Sequence, residues 1–550
     1  MENTKKIGVM LDCSRNMIMN VAGIKNFIDI IAKIGYNRLM LYTEDTYEIK
    51  GEPMFGYLRG RYSGEEIKEI DNYALSKGVE LVPCIQTLAH LHQLSRWIPY
   101  LEMFDTSTTL LLDDERVYDL IDKMFASCAE NYTTKNIHIG MDEAHDMGLG
   151  KYLDIHGYQD RSELFLRHLN RVYEIAKKHG LKPMIWSDMP FRIPYGGEYA
   201  YLYENYEKQK HGDETFEKIK DRIPADLGLV YWEYDATNPD KLDFMMQKHL
   251  TFNRPVMLSG GAWKWKQFTP RNVRTLKTIE AGCRAWNRNN FGDYLLTIWS
   301  DDAECPVYSI LPCLVYAAEC CNGNYDLENA KNRFEELFGE SWDKFMLFDI
   351  PLSEDLPKHT PDANGIKAQF YADVFGCSYD AMLTGDGIVC KQYANFAKIF
   401  NKEKKNSLSF GYLYNFYETL CDFMSVKYEL GYRIRVAYQA GDKKELKKLC
   451  DQIGAAIKKI KLFLTAYETA WRKDHKAYGL EVMQHRIGGQ IVRMSDCQKR
   501  LTAYLKGEIL SIDELEEKLV DYFTGGKELK KQVPTAWNYA RVVTANRFIY

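Results

Sequence analysis

From residue 7 to about residue 325 one unit recurs eight times: a short apolar run, a loop, then a segment whose apolar residues return every three or four positions. The apolar runs fall at 7–11, 38–42, 80–85, 136–140, 183–186, 229–232, 255–258 and 294–299. Most are continuous rather than alternating, which is the pattern of parallel strands covered on both faces. The segments between them are amphipathic at helical spacing. The first carries Ile24, Phe27, Ile28, Ile31 and Ile34, and the second opens with Ser63 three residues before Glu66, a capping-box spacing. Later ones carry Val117, Leu120, Ile121, Met124, Phe125 and Cys128, then Val273, Leu276, Ile279 and Cys283, then Val307, Ile310, Leu314 and Ala317. Eight strand–helix units in about 320 residues predict a (β/α)8 TIM barrel. A doubly wound open sheet is the competitor, but Asp12-Cys13-Ser14-Arg15-Asn16 is not the Gly-rich phosphate turn it would show after its first strand.

Beyond residue 325 helical periodicity takes over, at 327–338, 368–374, 410–432, 443–472, 478–505 and 512–523. Leu449, Ile453, Ile457, Ile460 and Leu464 form an apolar stripe opposite Lys/Glu-rich faces, and the run from Lys527 to Lys531 reads as a solvated face. The expected division is therefore an α/β barrel over 1–325 and an all-α C-terminal domain over 326–550, joined at a turn-like stretch near 321–326. Of the 550 residues, 46% are apolar and 27% charged, and the net charge is -5. That balance gives no reason to expect nucleic acid or an anionic membrane as partner. No stretch approaches the ~20 apolar residues of a membrane helix, and the N-terminal apolar run is too short for a signal peptide. Thirteen Cys without a C-x-x-C motif read as reduced thiols in a cytoplasmic protein.

In a parallel barrel the chemistry sits at the strand C-termini. Read in order, those tips carry Asp12 and Arg15; Glu44 and Asp45; Gln86, His90 and His92; Asp142 and Glu143; Trp186 and Asp188; Trp232, Glu233 and Tyr234; Trp263 and Trp265; Trp299, Asp301 and Asp302. Carboxylates, one Arg and several Trp suit a neutral polyhydroxylated ligand, since hydroxyls bind the acids and C–H faces stack on indoles. Asn136-Ile137-His138-Ile139-Gly140-Met141-Asp142-Glu143 ends a buried strand in two adjacent carboxylates, a pairing that points to acid chemistry on a glycosidic bond. Blander readings exist for each. His90-x-His92 has metal-pair spacing, but no further His pattern follows it. Ser259-Gly260-Gly261 has the look of a phosphate cradle, yet Trp263 follows at once. His138, inside an apolar strand, reads as a hydrogen-bonded core histidine.

His138-Ile139-Gly140-Met141-Asp142-Glu143 resembles the His-x-Gly-Gly-Asp-Glu signature of glycoside hydrolase family 20, the exo-β-N-acetylhexosaminidases. Ile85-Gln86-Thr87-Leu88-Ala89-His90 is similar to the family's third-strand segment, Trp186-Ser187-Asp188-Met189 to its fifth-strand Trp, and Trp299-Ser300-Asp301 to its eighth-strand Trp-x-acid. The resemblance covers about residues 5–320 and is nearest to the bacterial subgroup without a small α/β domain before the barrel and with a helical domain after it. Met141 stands where the family's second Gly is usual, and Asp301 where longer-studied members carry Glu.

The resemblance implies a retaining, substrate-assisted mechanism on terminal β-linked GlcNAc or GalNAc, in which the 2-acetamido oxygen is the nucleophile and an oxazolinium intermediate forms. Glu143 is then the general acid and base, and Asp142 holds the acetamide N–H. Trp186, Trp232 and Trp299 would enclose the acetamide methyl, and Tyr234, with Trp263 beside it, would meet the acetamide oxygen. Arg15 and Asp301 would bind the outer hydroxyls. Asp45 and His90 are expected to pair behind Glu143, with Glu44 the alternative to Asp45. The partner is a small-molecule glycan; no metal or other cofactor is expected, nor nucleic acid or membrane. The helical domain either completes the pocket rim or forms a homodimer interface. The rival readings are a catalytically silent glycan-binding barrel and another acetamido-directed barrel hydrolase.

Overall fold

A computed structural model describes residues 5–197, 207–208, 210–352, 365–520, 539–544 and 546. Eight parallel strands close into a barrel in chain order: β1 (Ile7–Asp12), β2 (Arg38–Tyr42), β3 (Glu80–Cys84), β4 (Asn136–His138), β5 (Lys182–Trp186), β6 (Gly228–Trp232), β7 (Val256–Gly261) and β8 (Asp293–Ile298). β8 returns to β1, with Leu295 opposite Gly8, so no strand edge is left open. Every strand expected from the apolar runs is present. β4 is the shortest, ending at His138, two residues before the apolar run does.

Alternation along the strands sorts side chains into two cores. Met10, Met40, Tyr42, Val82, Cys84, Met184, Trp186, Val230, Met257 and Leu295 fill the barrel's interior. Their neighbours in sequence point outward against the helices. The helix Val21–Ile34 buries the five predicted residues, is capped by Asn20, and stops at Gly35, whose φ of 110° continues no helix. Ser63 and Glu66 make the capping box of the helix Gly64–Ser76. In the helix Asn272–Arg288 one expected core residue, Val273, is exposed; it stands in the first turn, where its backbone N–H donates to Asp349. The stretch 307–317 splits into a 3-10 turn (Val307–Ile310) and a helix (Leu311–Cys321) with Pro312 in its first turn, the position proline favours.

The C-terminal region is helical: Leu327–Phe338, Trp342–Met346, Gly365–Tyr371, Ile388–Lys404, Gly411–Lys427, Leu430–Gln439, Lys443–Asp474 and Leu480–Lys506. The single helix expected over 410–432 is two, broken before Leu430, where the backbone packs so closely that a Cβ on Gly431 would meet Val374 O at 3.1 Å. Lys443–Asp474 and Leu480–Lys506 run antiparallel about a short turn, with Leu449, Ile453 and Ile460 buried between helices. The helix expected over 512–523 is a single turn, Asp513–Glu516; residues 521–523 and the run 527–531 lie outside the described residues. Among the described residues no helix is long and apolar enough to cross a membrane. All thirteen cysteines are free thiols, twelve of them buried.

Candidate active site

The tip of β4 is where the backbone leaves the extended conformation. Gly140, Met141 and Glu143 have φ of 74°, 75° and 50°, in the left-handed region. On a regular strand Asp142 and Glu143 would point to opposite faces; the left-handed residues on either side re-aim them toward one imidazole. His90 Nε2 lies 3.2 Å from Asp142 Oδ2 and 3.7 Å from Glu143 Oε2. Position 140 favours glycine, since a Cβ there would stand 1.9 Å from Gln86 Oε1 and 2.9 Å from the Ile85 carbonyl oxygen. Met141 adopts the left-handed conformation with a side chain, at a cost of roughly 1–3 kcal/mol. Its fully buried side chain and its N–H, given to Gln86 Oε1 at 3.2 Å, offset that strain.

Gln86 also donates to Asp142 Oδ1 at 2.8 Å and to Tyr42 Oη at 2.9 Å. Burial would raise the Asp142 carboxyl, but the His90 imidazolium and the Gln86 amide outweigh it and hold the group down at about 2. Burial likewise favours neutral His90, and the Asp142 charge reverses this, raising the imidazole to about 9. The two are therefore an ion pair at neutral pH. Glu143 differs: its side chain is 42% exposed, so it is open to a ligand. Its backbone N–H donates to Asp188 Oδ2 at 3.1 Å, and Arg192 Nε sits 3.2 Å from the same oxygen. Burial and the nearby Asp142 charge push Asp188 up to about 7 against the pull of Arg192.

Across the pocket, Arg15 is surrounded by three carboxylates, Asp12 at 3.4 Å, Asp301 at 3.5 Å and Glu44 at 3.6 Å. Its guanidinium lies over Trp299 (4.8 Å) and Tyr42 (5.0 Å). Asp12 accepts the Ser300 N–H at 2.9 Å, which ties the β1 and β8 tips together. Trp299 Nε1 donates to Tyr234 Oη at 3.1 Å, and its ring is 6.1 Å from that of Trp186. Trp186 is buried at the top of the barrel, 4.3 Å from the His138 ring. Trp232 stacks on Tyr234 at 5.4 Å. Thus Arg15, Tyr42, Trp186, Trp232, Tyr234, Trp299 and Asp301 form one connected cluster, joined to the β4 tip through Gln86, with Tyr42 and Trp186 buried and the other five partly exposed.

One of the expected placements differs. Asp45 does not pair with His90; its carboxylate is taken by Arg59, 3.2 Å away. The reason is local: Glu44 has a φ of 41°, which turns it rather than Asp45 toward the pocket, where Tyr42 Oη donates to it at 3.0 Å. Of the two, Glu44, the alternative, is the one whose charge adds, after the larger effect of Asp142, to the rise of His90. Trp263 lies beside Tyr234: its indole N–H donates to the Tyr234 carbonyl at 2.7 Å and its ring stacks on Trp265 at 4.1 Å. His138 accepts the Gly140 N–H at its Nδ1, at 3.1 Å, and burial drives its ring down to about 3, so it stays neutral as a core histidine would. His90, Asp142 and Glu143 together are the one described trio whose ligand atoms lie within 4.8 Å of one another, close enough to hold a cation.

Three contributors escape a reading of the sequence. Tyr42 lies inside an apolar strand and looks like core. Gln86 is visible as a strand-tip residue, but nothing in its surroundings marks it as the link between Asp142 and Tyr42. Lys264 is fully buried, with Nζ 3.0 Å from Ser300 Oγ and 3.4 Å from the Trp299 carbonyl, and burial lowers its proton affinity. Its only sequence signal is a lysine between two tryptophans.

Comparison with known proteins gives two family matches. Residues 7–237 match the glycosyl hydrolase family 20 catalytic domain, and residues 343–533 match the glycoside hydrolase 20C C-terminal domain. Among relatives, the chain is 24% identical to hexosaminidase D of Homo sapiens over 183 residues, 32% of this chain and 38% of that protein. It is 22% identical to hexosaminidase D of Bos taurus over 254 residues, 44% of this chain and 66% of that one. The matches thus span less than two thirds of either relative. Among solved structures, the GH20 exo-β-N-acetylglucosaminidase of Vibrio harveyi in complex with N-acetylglucosamine is 16% identical, with a TM-score of 0.46 over 61% of this chain and 58% of that one.

Proposed function

The chain belongs to glycoside hydrolase family 20, and from that premise we propose that it is a retaining exo-β-N-acetylhexosaminidase acting on terminal β-linked GlcNAc or GalNAc. One observation carries the reading: an ionised, buried Asp142 beside a half-exposed Glu143, under a wall of Trp and Tyr. A substrate that brings its own nucleophile, the 2-acetamido oxygen, needs from the protein one carboxylate to orient and stabilise and one acid to protonate the leaving oxygen. Asp142, kept charged by His90 and Gln86, accepts the acetamide N–H and stabilises the positive charge of the oxazolinium intermediate. Glu143 donates its proton to the departing oxygen and then removes one from water. His90 Nε2, on the imidazole that pairs with Asp142, lies 3.7 Å from the Glu143 carboxylate.

At the acetamide end, Trp186, Trp232 and Trp299 enclose the methyl. Trp299 occupies an acceptor site of Tyr234 Oη, and burial keeps that phenol neutral, so its proton is available to the acetamide oxygen. At the other end, Arg15 and Asp301 take the ring's outer hydroxyls. The direct test is release of 4-nitrophenol from the β-GlcNAc glycoside beside the β-glucoside. Cleavage of the first alone is expected. Equal cleavage of both would mean an enzyme nucleophile in place of the acetamide, and cleavage of neither by folded protein would favour a silent barrel.

A further inference from the structure

The two side chains at the outer-hydroxyl end, Arg15 and Asp301, sit on loops that the C-terminal helices grip. The first grip is on the stretch after Asp301. Asp302 and Ala303 have φ of 67° and 59°, and non-glycine residues stay there only when their surroundings over-determine them. Those surroundings come from three C-terminal helices. Lys367, on Gly365–Tyr371, is fully buried and pairs with Asp302 and, at 3.3 Å, with Glu304. Tyr371 donates to Glu304 Oε1 at 3.2 Å. Tyr467, on Lys443–Asp474, donates to the Ala303 carbonyl, and Arg486, on Leu480–Lys506, donates to the Asp302 carbonyl at 3.3 Å. Apolar packing would join two surfaces as well as this quartet of charges does, but it would not dictate the path of three successive backbone residues.

The second grip is on the loop that carries Arg15. The turn after Lys443–Asp474 lays a bridge between His475 and Met19. Asn20 N–H donates to the Asp474 carbonyl at 2.9 Å and Lys476 N–H to the Ile18 carbonyl at 2.8 Å. Gly479, with a φ of 91°, lies so near the next residue after Arg15 that a Cβ on it would stand 2.2 Å from Asn16 O.

We infer that the C-terminal helical region is a working part of the sugar site: through Lys367 and the turn at 475–479 it fixes the loops that present Asp301 and Arg15. The inference rests on the reading that these two side chains bind the sugar's outer hydroxyls. Lys367, Tyr467 and Gly479 are positioning residues; they act through Asp301 and Arg15. Contacts to outer hydroxyls are made in the ground state and the transition state alike, so loosening them raises KM more than it lowers kcat.

The test uses the full chain with Lys367→Met, Gly479→Ala and, should the buried-charge variant fold poorly, Tyr467→Phe. Hydrogen exchange is expected to quicken about tenfold in residues 299–305 for Lys367→Met and Tyr467→Phe, and in residues 13–20 for Gly479→Ala, with the barrel strands unchanged. On the β-GlcNAc nitrophenyl glycoside, KM should rise about tenfold with kcat within about threefold. In an Asp301→Ala background Lys367→Met should add less than about twofold, and Gly479→Ala likewise in Arg15→Ala, because each pair acts as one unit. Loops that exchange at the wild-type rate, or effects that simply multiply with the loop variants, would overturn the inference. A wild type that cleaves no N-acetylhexosaminide would instead remove the functional reading, while hydrogen exchange still decides the grip.

Discussion

The two ends of the pocket are built differently. At the acid end, Asp142 and Glu143 are held by residues of the barrel alone: Gln86 and His90 after β3, Asp188 and Arg192 after β5. At the hydroxyl end, Arg15 and Asp301 stand on loops braced by helices 65 or more residues further along the chain. Gln86, Tyr42 and Glu44 bridge the two through a hydrogen-bonded line. The difference teaches where each demand is met. The acid end must fix charge states, which takes short, buried ion pairs on neighbouring strands. The hydroxyl end must fix the shape of a rim, and loops of a barrel gain a defined shape from whatever packs on them.

The sharpest way to break this comparison is at Glu143. Glu143→Gln should lower kcat by about a thousandfold on glycosides with poor leaving groups and far less on acidic phenols, which leave without protonation. Equal losses on both would take the acid role from Glu143. Asp142→Asn should follow, with turnover of every acetamido sugar reduced about a hundredfold and KM changed less, since the lost stabilisation develops in the transition state; unchanged turnover would remove it from the chemistry. At the opposite end, Arg15→Lys should raise KM about tenfold with kcat nearly constant, because a lysine cannot serve three carboxylates from one planar fork. A loss confined to kcat would contradict the division between the two ends.

The smallest expected effect concerns stability. His90 is raised from 6.5 to about 9 by Asp142, so its pairing stabilises the fold fully below pH 6.5 and is lost as pH rises toward 9. Asp142, lowered from 3.8 to about 2, contributes above pH 3.8 and loses its share as pH falls toward 2. His90→Gln should therefore flatten the decline of unfolding free energy between pH 6.5 and 9, measured by urea titration at each pH. An unchanged slope would show that the proton sits elsewhere.

How much of this was legible in the chain varies with the kind of interaction. β1 through β8 were readable because strands covered on both faces must be continuously apolar, and caps such as Ser63 with Glu66 announce themselves within four residues. The two acids at the end of β4 stood out because carboxylates do not follow a buried strand without cause. Tyr42 did not stand out, since a barrel-interior tyrosine and a ligand-facing one have the same neighbours in sequence. Asp45 and Glu44 were indistinguishable for a similar reason: adjacent residues point opposite ways, and the φ of Glu44 decides which of them enters the pocket. The pairing of Lys367 with Asp302 and Glu304 joins residues over 60 positions apart and leaves no local trace.

By itself, then, the sequence determined the barrel, the helices that cover it and the strand tip that bears the acids, because all three follow from local hydrophobic periodicity and turn chemistry. Only the tertiary structure decided which charge meets which: His90 with Asp142 rather than Asp45, Arg59 with Asp45, Lys367 with the loop after Asp301. Coulomb energy depends on distance and on burial, and in this chain both are set by the packing of segments far apart in sequence.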